Sequence, residues 1–422
     1  MTNPEAPAPE APAPEAPAPE ARAPEARAAS RPSLLRRRLV RIAGAVIAAA
    51  ALAGCGTGAP EPGSSPSPGR SPGTSTNQSA GPGASPRPSP TVAAKAPPPP
   101  RPCAVSAILV NSCRPWVGAA ANGNPAAPHG AVPQFQYLER LLGRHLDVFR
   151  DYNNTSGKGP TGMLPLNPDE MYFARQPGTY IDVNWKPANT WAQADGGDPA
   201  VNANIRKVAG SIKAVAPHKI FLTVWVEPQH AVSGGSDCPG LSGRAGTPAQ
   251  YKQMWRNVES IFRAQGTDNV VWAMDYMSYP KWDCLVPQLW PGNNLVDWVL
   301  YDSYDHDDKA GSNWSDTVGR FYHLLEQDSS PSVDFDAKPW GLGEFNTCQN
   351  GSAANTQQYF LQAKQAIDSD AYPRLRMYNI FADTGGGTAS PGCLTDYTPG
   401  GQPDPSKNSL IKSLFSSPVF NR

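Results

Sequence analysis

The chain has no net charge to offer a partner: its 36 basic and 36 acidic side chains cancel. That balance supplies no field for gripping nucleic acid, which removes that class of partner. Histidine is scarce, six in all, and scattered. No His-x-x-x-His or His-Glu pairing occurs, so zinc chemistry has no ligand set. A Gly-x-Ser-x-Gly elbow is missing, which leaves a serine hydrolase without its nucleophile turn. No Gly-rich phosphate turn follows any apolar stretch, which argues against a nucleotide-binding open sheet. The chain therefore calls for no metal and no organic cofactor. Aromatic residues are missing from residues 1–102 altogether, although that stretch holds 23 of the 48 prolines. A segment without aromatics cannot bury enough apolar area to offset its ordering entropy. All 37 aromatics fall in Cys103–Arg422, which is long enough for one large core.

The first part of the chain reads as a leader. Over residues 1–35, Pro-Glu-Ala-Pro-Ala units favour extended polyproline II and present no packing face. Over residues 36–55 a basic run leads into the 13 apolar, small residues Ile42–Gly54, too few to span a bilayer but suited to the apolar segment of a signal peptide. The run ends in Leu52-Ala53-Gly54-Cys55, which resembles the lipobox of bacterial lipoproteins, whose cysteine carries the lipid. The resemblance implies a membrane anchor at Cys55 and a head on the extracellular face of the cell membrane, or one secreted outright. Residues 56–102, rich in Gly, Ser and Pro, then read as a solvated tether.

Residues 103–422 form the head. Eight short apolar stretches recur: 115–120, 146–152, 179–185, 219–225, 270–276, 297–301, 339–344 and 377–382. Amphipathic segments lie between several of them. In one, Met254, Trp255, Val258, Ile261 and Phe262 recur every three or four positions and mark a helical face. Eight strands alternating with helices point to a (β/α)8 barrel, whose reactive groups come from the C-terminal ends of the strands. There the fourth stretch ends in Trp225-Val226-Glu227-Pro228 and the seventh in Gly343-Glu344-Phe345-Asn346. Two glutamates at one rim, three strands apart, face each other across the mouth, as glycosidic hydrolysis requires. One carboxyl must donate a proton to the departing oxygen while the other, ionised, attacks or stabilises the anomeric carbon.

These residues resemble the signatures of the retaining (β/α)8 glycoside hydrolases, and the chain is most similar to glycoside hydrolase family 26, the β-mannanases and their relatives. Trp225 two before the first glutamate, Asp302-Ser303-Tyr304 at the sixth stretch and Lys338-Pro339-Trp340 leading into Gly343-Glu344-Phe345 carry that resemblance. It implies Glu227 as general acid/base, Glu344 as nucleophile and Tyr304 as a hydrogen-bond donor to Glu344, acting on a β-linked, mannan-like polysaccharide. The family places His, and the wider clan Asn, just before the acid/base. This chain has Val226, which cannot hydrogen-bond a sugar 2-hydroxyl; His230 is the nearby substitute. That departure keeps a second reading in view, a non-catalytic carbohydrate-binding lipoprotein on the same barrel.

Other residues carry weaker signals. Trp185, Trp225, Trp272, Trp282 and Trp340 lie at or near strand ends, where indole faces stack on sugar rings; large aromatics are more often core. Asp302, Asp305, His306, Asp307 and Asp308 invite a calcium reading, but the spacing fits no EF-hand and an exposed acidic loop is the expectation. Arg150 ends the second stretch and either supports the nucleophile or pairs locally. Apart from Cys55 the cysteines number six, an even set that implies disulfides in an exported domain. Barrel order brings together Cys238 with Cys284 and Cys348 with Cys393 in adjacent loops, leaving Cys103 with Cys113 across a short apolar run. A tethered head has no need of a partner subunit, so a monomer is expected.

Overall fold

The computed structural model describes residues 103–122, 130–153, 164–232, 238, 243–305, 313–348, 353–383, 393–397 and 402–421. The leader, the Cys55 motif and the tether lie outside them. Each apolar stretch becomes a strand: β1 (Trp116–Asn122), β2 (Val148–Asn153), β3 (Tyr180–Trp185), β4 (Ile220–Val224), β5 (Val270–Met277), β6 (Trp298–Asp305), β7 (Trp340–Thr347) and β8 (Leu375–Asp383). All pair in parallel and the sheet closes, β1 lying against β8 from Trp116↔Met377 to Asn122↔Asp383. The expected (β/α)8 barrel is the fold.

Helices cover the outside because their apolar faces match the strands. They are α1 (Ala131–Leu142), α2 (Pro168–Phe173), α3 (Pro199–Lys213), α4 (Pro228–Val232), α5 (Pro248–Ala264), α6 (Arg320–Asp328), α7 (Ala353–Asp368) and α8 (Pro405–Phe415). In α5, Met254, Trp255, Val258 and Phe262 are all buried, so the sequence spacing found the right face. Thr247 caps that helix in a box with Gln250, and Asp198 caps α3, each satisfying backbone N–H groups that a helix start leaves free.

The N-terminal end of the barrel is stoppered. A loop ahead of β1, bridged at Val105↔Asn111 and closed by Cys103–Cys113, sets Leu109 against Trp116, Val148, Phe221, Trp298, Leu300 and Met377. Two indoles hold the loop's backbone: Trp116 Nε1 donates to the Leu109 carbonyl and Trp298 Nε1 to that of Ile108, each at 2.6 Å. The other predicted disulfides, Cys238–Cys284 and Cys348–Cys393, also form, joining loops at the opposite end.

One expectation fails. Strand β6 runs on to Asp305, so Asp302 and Asp305 are fully buried rather than parts of an exposed acidic loop. The apolar run ends at Tyr301, but the chain keeps strand pairing with β7 through Asp305↔Thr347 and turns Asp302 inward. His306, Asp307 and Asp308 lie outside the described residues.

Candidate active site

The site is built at the C-terminal ends of β2, β4, β6 and β7. Beyond β4 the backbone leaves the strand sharply: Trp225 and Glu227 both adopt left-handed conformations, with φ of 69° and 49°. Side-chain-bearing residues rarely do so, and where they do the surroundings must over-determine it. Here the Trp225 N–H donates to the Trp185 carbonyl at 2.9 Å and the Glu227 N–H to that of Asp275 at 3.2 Å. The buried Gln229 amide completes the clamp, donating to the Met277 carbonyl at 2.9 Å and accepting its N–H at 3.1 Å. Glu227 is thereby aimed from a rigid turn.

Glu344 sits across from it on β7. The hydroxyls of Tyr152 and Tyr304 donate one to each carboxylate oxygen, and Arg150 Nη2 adds a third bond to Oε1 at 3.1 Å. Three donors, one of them cationic, replace the water that an anion would otherwise need. Arg150 and Tyr152 are two apart on β2 and so point to the same face. Arg150 Nε also donates to the Tyr152 hydroxyl at 2.8 Å, tying the two donors together.

Beneath them lies a layer of charge inside the barrel. Arg150 donates to Asp182 at 2.8 Å and to Asp275 at 2.7 Å, and lies 3.6 Å from Asp302. One guanidinium thus faces three fully buried aspartates and Glu344. Such a set cannot be wholly ionised away from water. Burial and, against the pull of Arg150, the Glu344 charge push Asp275 up to about 7. Asp302, neither of whose carboxyl oxygens has a hydrogen-bond partner, is held well above the carboxylate range by burial and then by Asp275. Glu227 is pushed up to about 8, first by burial, then by the charges of Glu344 and Asp275. That last effect is the electrostatic sign that Glu227 and Glu344 share one space.

The glycine of Gly343-Glu344-Phe345 has a steric reason. Its strand neighbours skip it, Tyr301 facing Leu342 and Asp302 facing Glu344. A Cβ at 343 would lie 2.7 Å from an oxygen of Asp275 and 2.7 Å from one of Asp302. Only glycine lets both carboxyls pack beneath the glutamate.

The remaining tryptophans sort by height in the barrel and by the face of the strand they leave from. Trp225, with Lys186 Nζ 5.4 Å above its ring, and the exposed His230 are at the rim. Trp185 is buried outside the barrel against Phe262, Trp272 packs against Trp255 and Phe262, and Trp340 begins β7 beside Tyr322. Their bodies fill the space between strands and helices, away from the mouth, so none of the three offers a face to sugar. Sequence reasoning missed Tyr152, Asp182 and Asp275. For Asp182 and Asp275 the signal was there: each is a carboxyl inside a largely apolar, buried strand, where a polar residue needs a partner.

Comparison with known proteins finds a family model that matches part of the chain. The model for glycosyl hydrolase family 26 matches residues 181–329, a span that holds Glu227, Asp302 and Tyr304 and stops short of Glu344. Endoglucanase H of Acetivibrio thermocellus is 25% identical over 257 residues, covering 56% of this chain and 25% of that protein. The chain thus spans about a quarter of that relative's length. Among solved structures, the catalytic domain of a Bacillus sp. JAMB-750 family 26 endo-β-1,4-mannanase superposes with a TM-score of 0.50 at 15% identity, over 73% of this chain and 86% of that one. An engineered protein does so with a TM-score of 0.50 at 17% identity, over 73% and 72%. At these identities the structural likeness speaks for the barrel alone.

Proposed function

We propose that this chain, a (β/α)8 glycoside hydrolase of family 26, cleaves a β-linked, mannan-like polysaccharide with retention, using Glu344 as nucleophile and Glu227 as acid/base. The observation that carries the proposal is the contrast between the two carboxyls. Glu344 is met by three donors, whereas Glu227 is raised to about 8 and keeps its proton at neutral pH.

The first step follows from that contrast. The Glu344 carboxylate attacks the anomeric carbon as the bond to the leaving oxygen breaks, and the Glu227 proton passes to that oxygen. The product is a sugar esterified to Glu344. Esterification removes the Glu344 charge, which is a main cause of the raised Glu227 value. The pKa of Glu227 therefore falls, so the carboxylate left by the first step stays ionised and is free to take a proton from the incoming water. Water attacks the anomeric carbon, the ester breaks, and both carboxyls return to their starting states.

Release of reducing ends from β-mannan, mixed-linkage glucan and xylan tests the activity and separates it from a barrel that only binds sugar. A 2-fluoro glycoside should trap the ester, and peptide mapping should place the tag on Glu344. A first product of inverted configuration, or a tag on another residue, defeats the mechanism. The lipid anchor is a second part of the proposal, supported by Leu52-Ala53-Gly54-Cys55. Labelled fatty acid should enter the chain in a bacterial host and fail to enter Cys55→Ser; equal labelling of both rejects the anchor.

A further inference from the structure

The rim beside Glu227 holds more positive charge than the mechanism uses. Arg244 Nη2 donates to His230 Nδ1 at 3.2 Å, which requires that ring nitrogen to be a bare acceptor and so a neutral imidazole. The His230 ring lies 5.9 Å from that of Trp282, and Lys281 Nζ stands 4.0 Å above the same indole. Lys186 Nζ lies over Trp225, two residues before Glu227. Burial first, and then the charges of Arg244, Lys186 and Lys281, lower His230; burial and then Arg244 lower Lys186, so the groups share one space.

Backbone bonds fix this arrangement. The Ala245 N–H donates to the Ala231 carbonyl at 3.2 Å, and the Trp191 N–H donates to the Ala245 carbonyl at 2.9 Å, holding Arg244 beside α4. Among the described residues no acidic side chain forms an ion pair with Lys186, Arg244 or Lys281. Asp283, the neighbour of Trp282, is paired with Arg320 at 2.6 Å. Among the described residues, Glu227 is the carboxyl whose charge acts on Lys186, and it is still raised to about 8. On a chain of zero net charge, three cations with no ion pair among the described residues, two of them resting on indole rings, form a local site for an anion.

The position of the site selects the sugar. The acid/base donates to the leaving oxygen, so the sugar on its side belongs to the leaving group. We propose that the substrate is an acidic glycan, and that Lys186, Arg244 and Lys281 bind a carboxylate or phosphate carried by a leaving-group sugar. The inference rests on Glu227 being the acid/base, and it narrows the substrate class from neutral mannan-like chains to charged ones.

The test uses the full chain carrying Glu344→Gln, so that ligand is bound without turnover. Carboxymethylated, phosphorylated and uncharged hydroxyethylated forms of β-mannan, mixed-linkage glucan and xylan are the probes. At low salt at least one charged form should bind tenfold or more tighter than its uncharged match, and that preference should shrink in 0.5 M salt, at roughly a 4 Å screening length. The carboxymethyl and phosphoryl arms decide which anion is preferred. Arg244→Gln with Lys281→Gln should cut the preference about tenfold; both side chains are exposed, and a thermal melt checks folding. Equal affinity for charged and uncharged forms overturns the inference, as does a preference that survives the double substitution or is indifferent to salt. Tight, salt-sensitive binding of a charged glycan that the unaltered chain fails to cleave leaves the inference standing and rejects the hydrolytic reading instead.

Discussion

The two ends of this barrel are made from the same eight strands and obey different rules. At the N-terminal end, Leu109 is set among apolar side chains, and the indole N–H groups of Trp116 and Trp298 each find a carbonyl of the stopper loop. At the C-terminal end, oxygens of Asp182, Asp275 and Asp302 are buried without a hydrogen-bond partner, and two side-chain-bearing residues hold left-handed backbone. The first end pairs its polar groups and departs from local preference at Leu109, whose φ is 59°. The second breaks several at once, around Glu227 and Glu344, as expected where stability yields to chemistry. The difference predicts that substitutions at the two ends should move different observables.

Glu344→Gln should produce the largest effect, a loss of turnover of at least about 10⁴-fold. Its melting temperature should hold or rise, because the change removes one of four carboxyls arrayed around a single guanidinium. Steady-state rates and a thermal melt on the same sample check both halves; a variant that loses turnover by unfolding erases the contrast.

Arg150→Met breaks the rule from the other side. It strips three fully buried aspartates of their only cation within ion-pair reach among the described residues. Leaving buried charge uncompensated costs about 3–5 kcal/mol, so this rim variant should lose stability as well as activity. At the stoppered end, Leu109→Ala should cost about 2–5 kcal/mol by opening a cavity. Its kcat/KM should stay level at temperatures where it remains folded. Denaturant unfolding alongside rates separates the two cases, and an equal fall of kcat/KM in the Leu109 variant would unite the ends that we have contrasted.

Acidity offers a gentler probe. Glu227 and Asp275 titrate higher in the fold, at about 8 and about 7, than their ordinary values of 4.5 and 3.8. Glu170, buried at the start of α2, also rises to about 8, chiefly through burial. Between about pH 4 and pH 8 the folded state therefore holds more protons than the unfolded chain. Stability contributed by these groups is complete below their unfolded values and is lost as pH climbs through the folded ones. Lys407, lowered to about 7 by burial, works in the opposite sense from there upward. The melting temperature should fall by a few degrees from pH 5 to pH 8, and Asp275→Asn should flatten the slope. Turnover should decline above about pH 8 as Glu227 loses its proton. A melting temperature that rises across that interval rejects the reading of a protonated layer.

Much of this architecture was legible in the residues, and the failures have physical causes. The eight strands appear as apolar stretches because both faces of a parallel barrel strand are covered. The disulfide pairs follow once the strand order is known, since adjacent loops meet. Glu227 and Glu344 stand out because each closes such a stretch. The polar layer was harder to see. Asp182 and Asp275 resemble isolated interruptions until the closed sheet points them at Arg150. Asp302 read as loop because β6 continues past its apolar run on backbone pairing alone. Tryptophan misled for the opposite reason: its size marks proximity to a strand end in sequence but is silent on which end, or which face.

That ambiguity supports the smallest prediction. Trp225 is at the rim under Lys186, whereas Trp340 opens β7 and donates its Nε1–H to the Phe335 carbonyl at 2.9 Å. Trp225→Phe should raise KM several-fold on a responsive polysaccharide, with a stability cost from its packing on Trp191. Trp340→Phe should lose about 1 kcal/mol with its hydrogen bond while KM stays put. Since the two residues begin alike, as indoles beside the ends of barrel strands, only their height along the barrel axis distinguishes them. Matched KM shifts in the pair would show that height carries no information about sugar contact, and would weaken the assignment of Trp225 to the mouth.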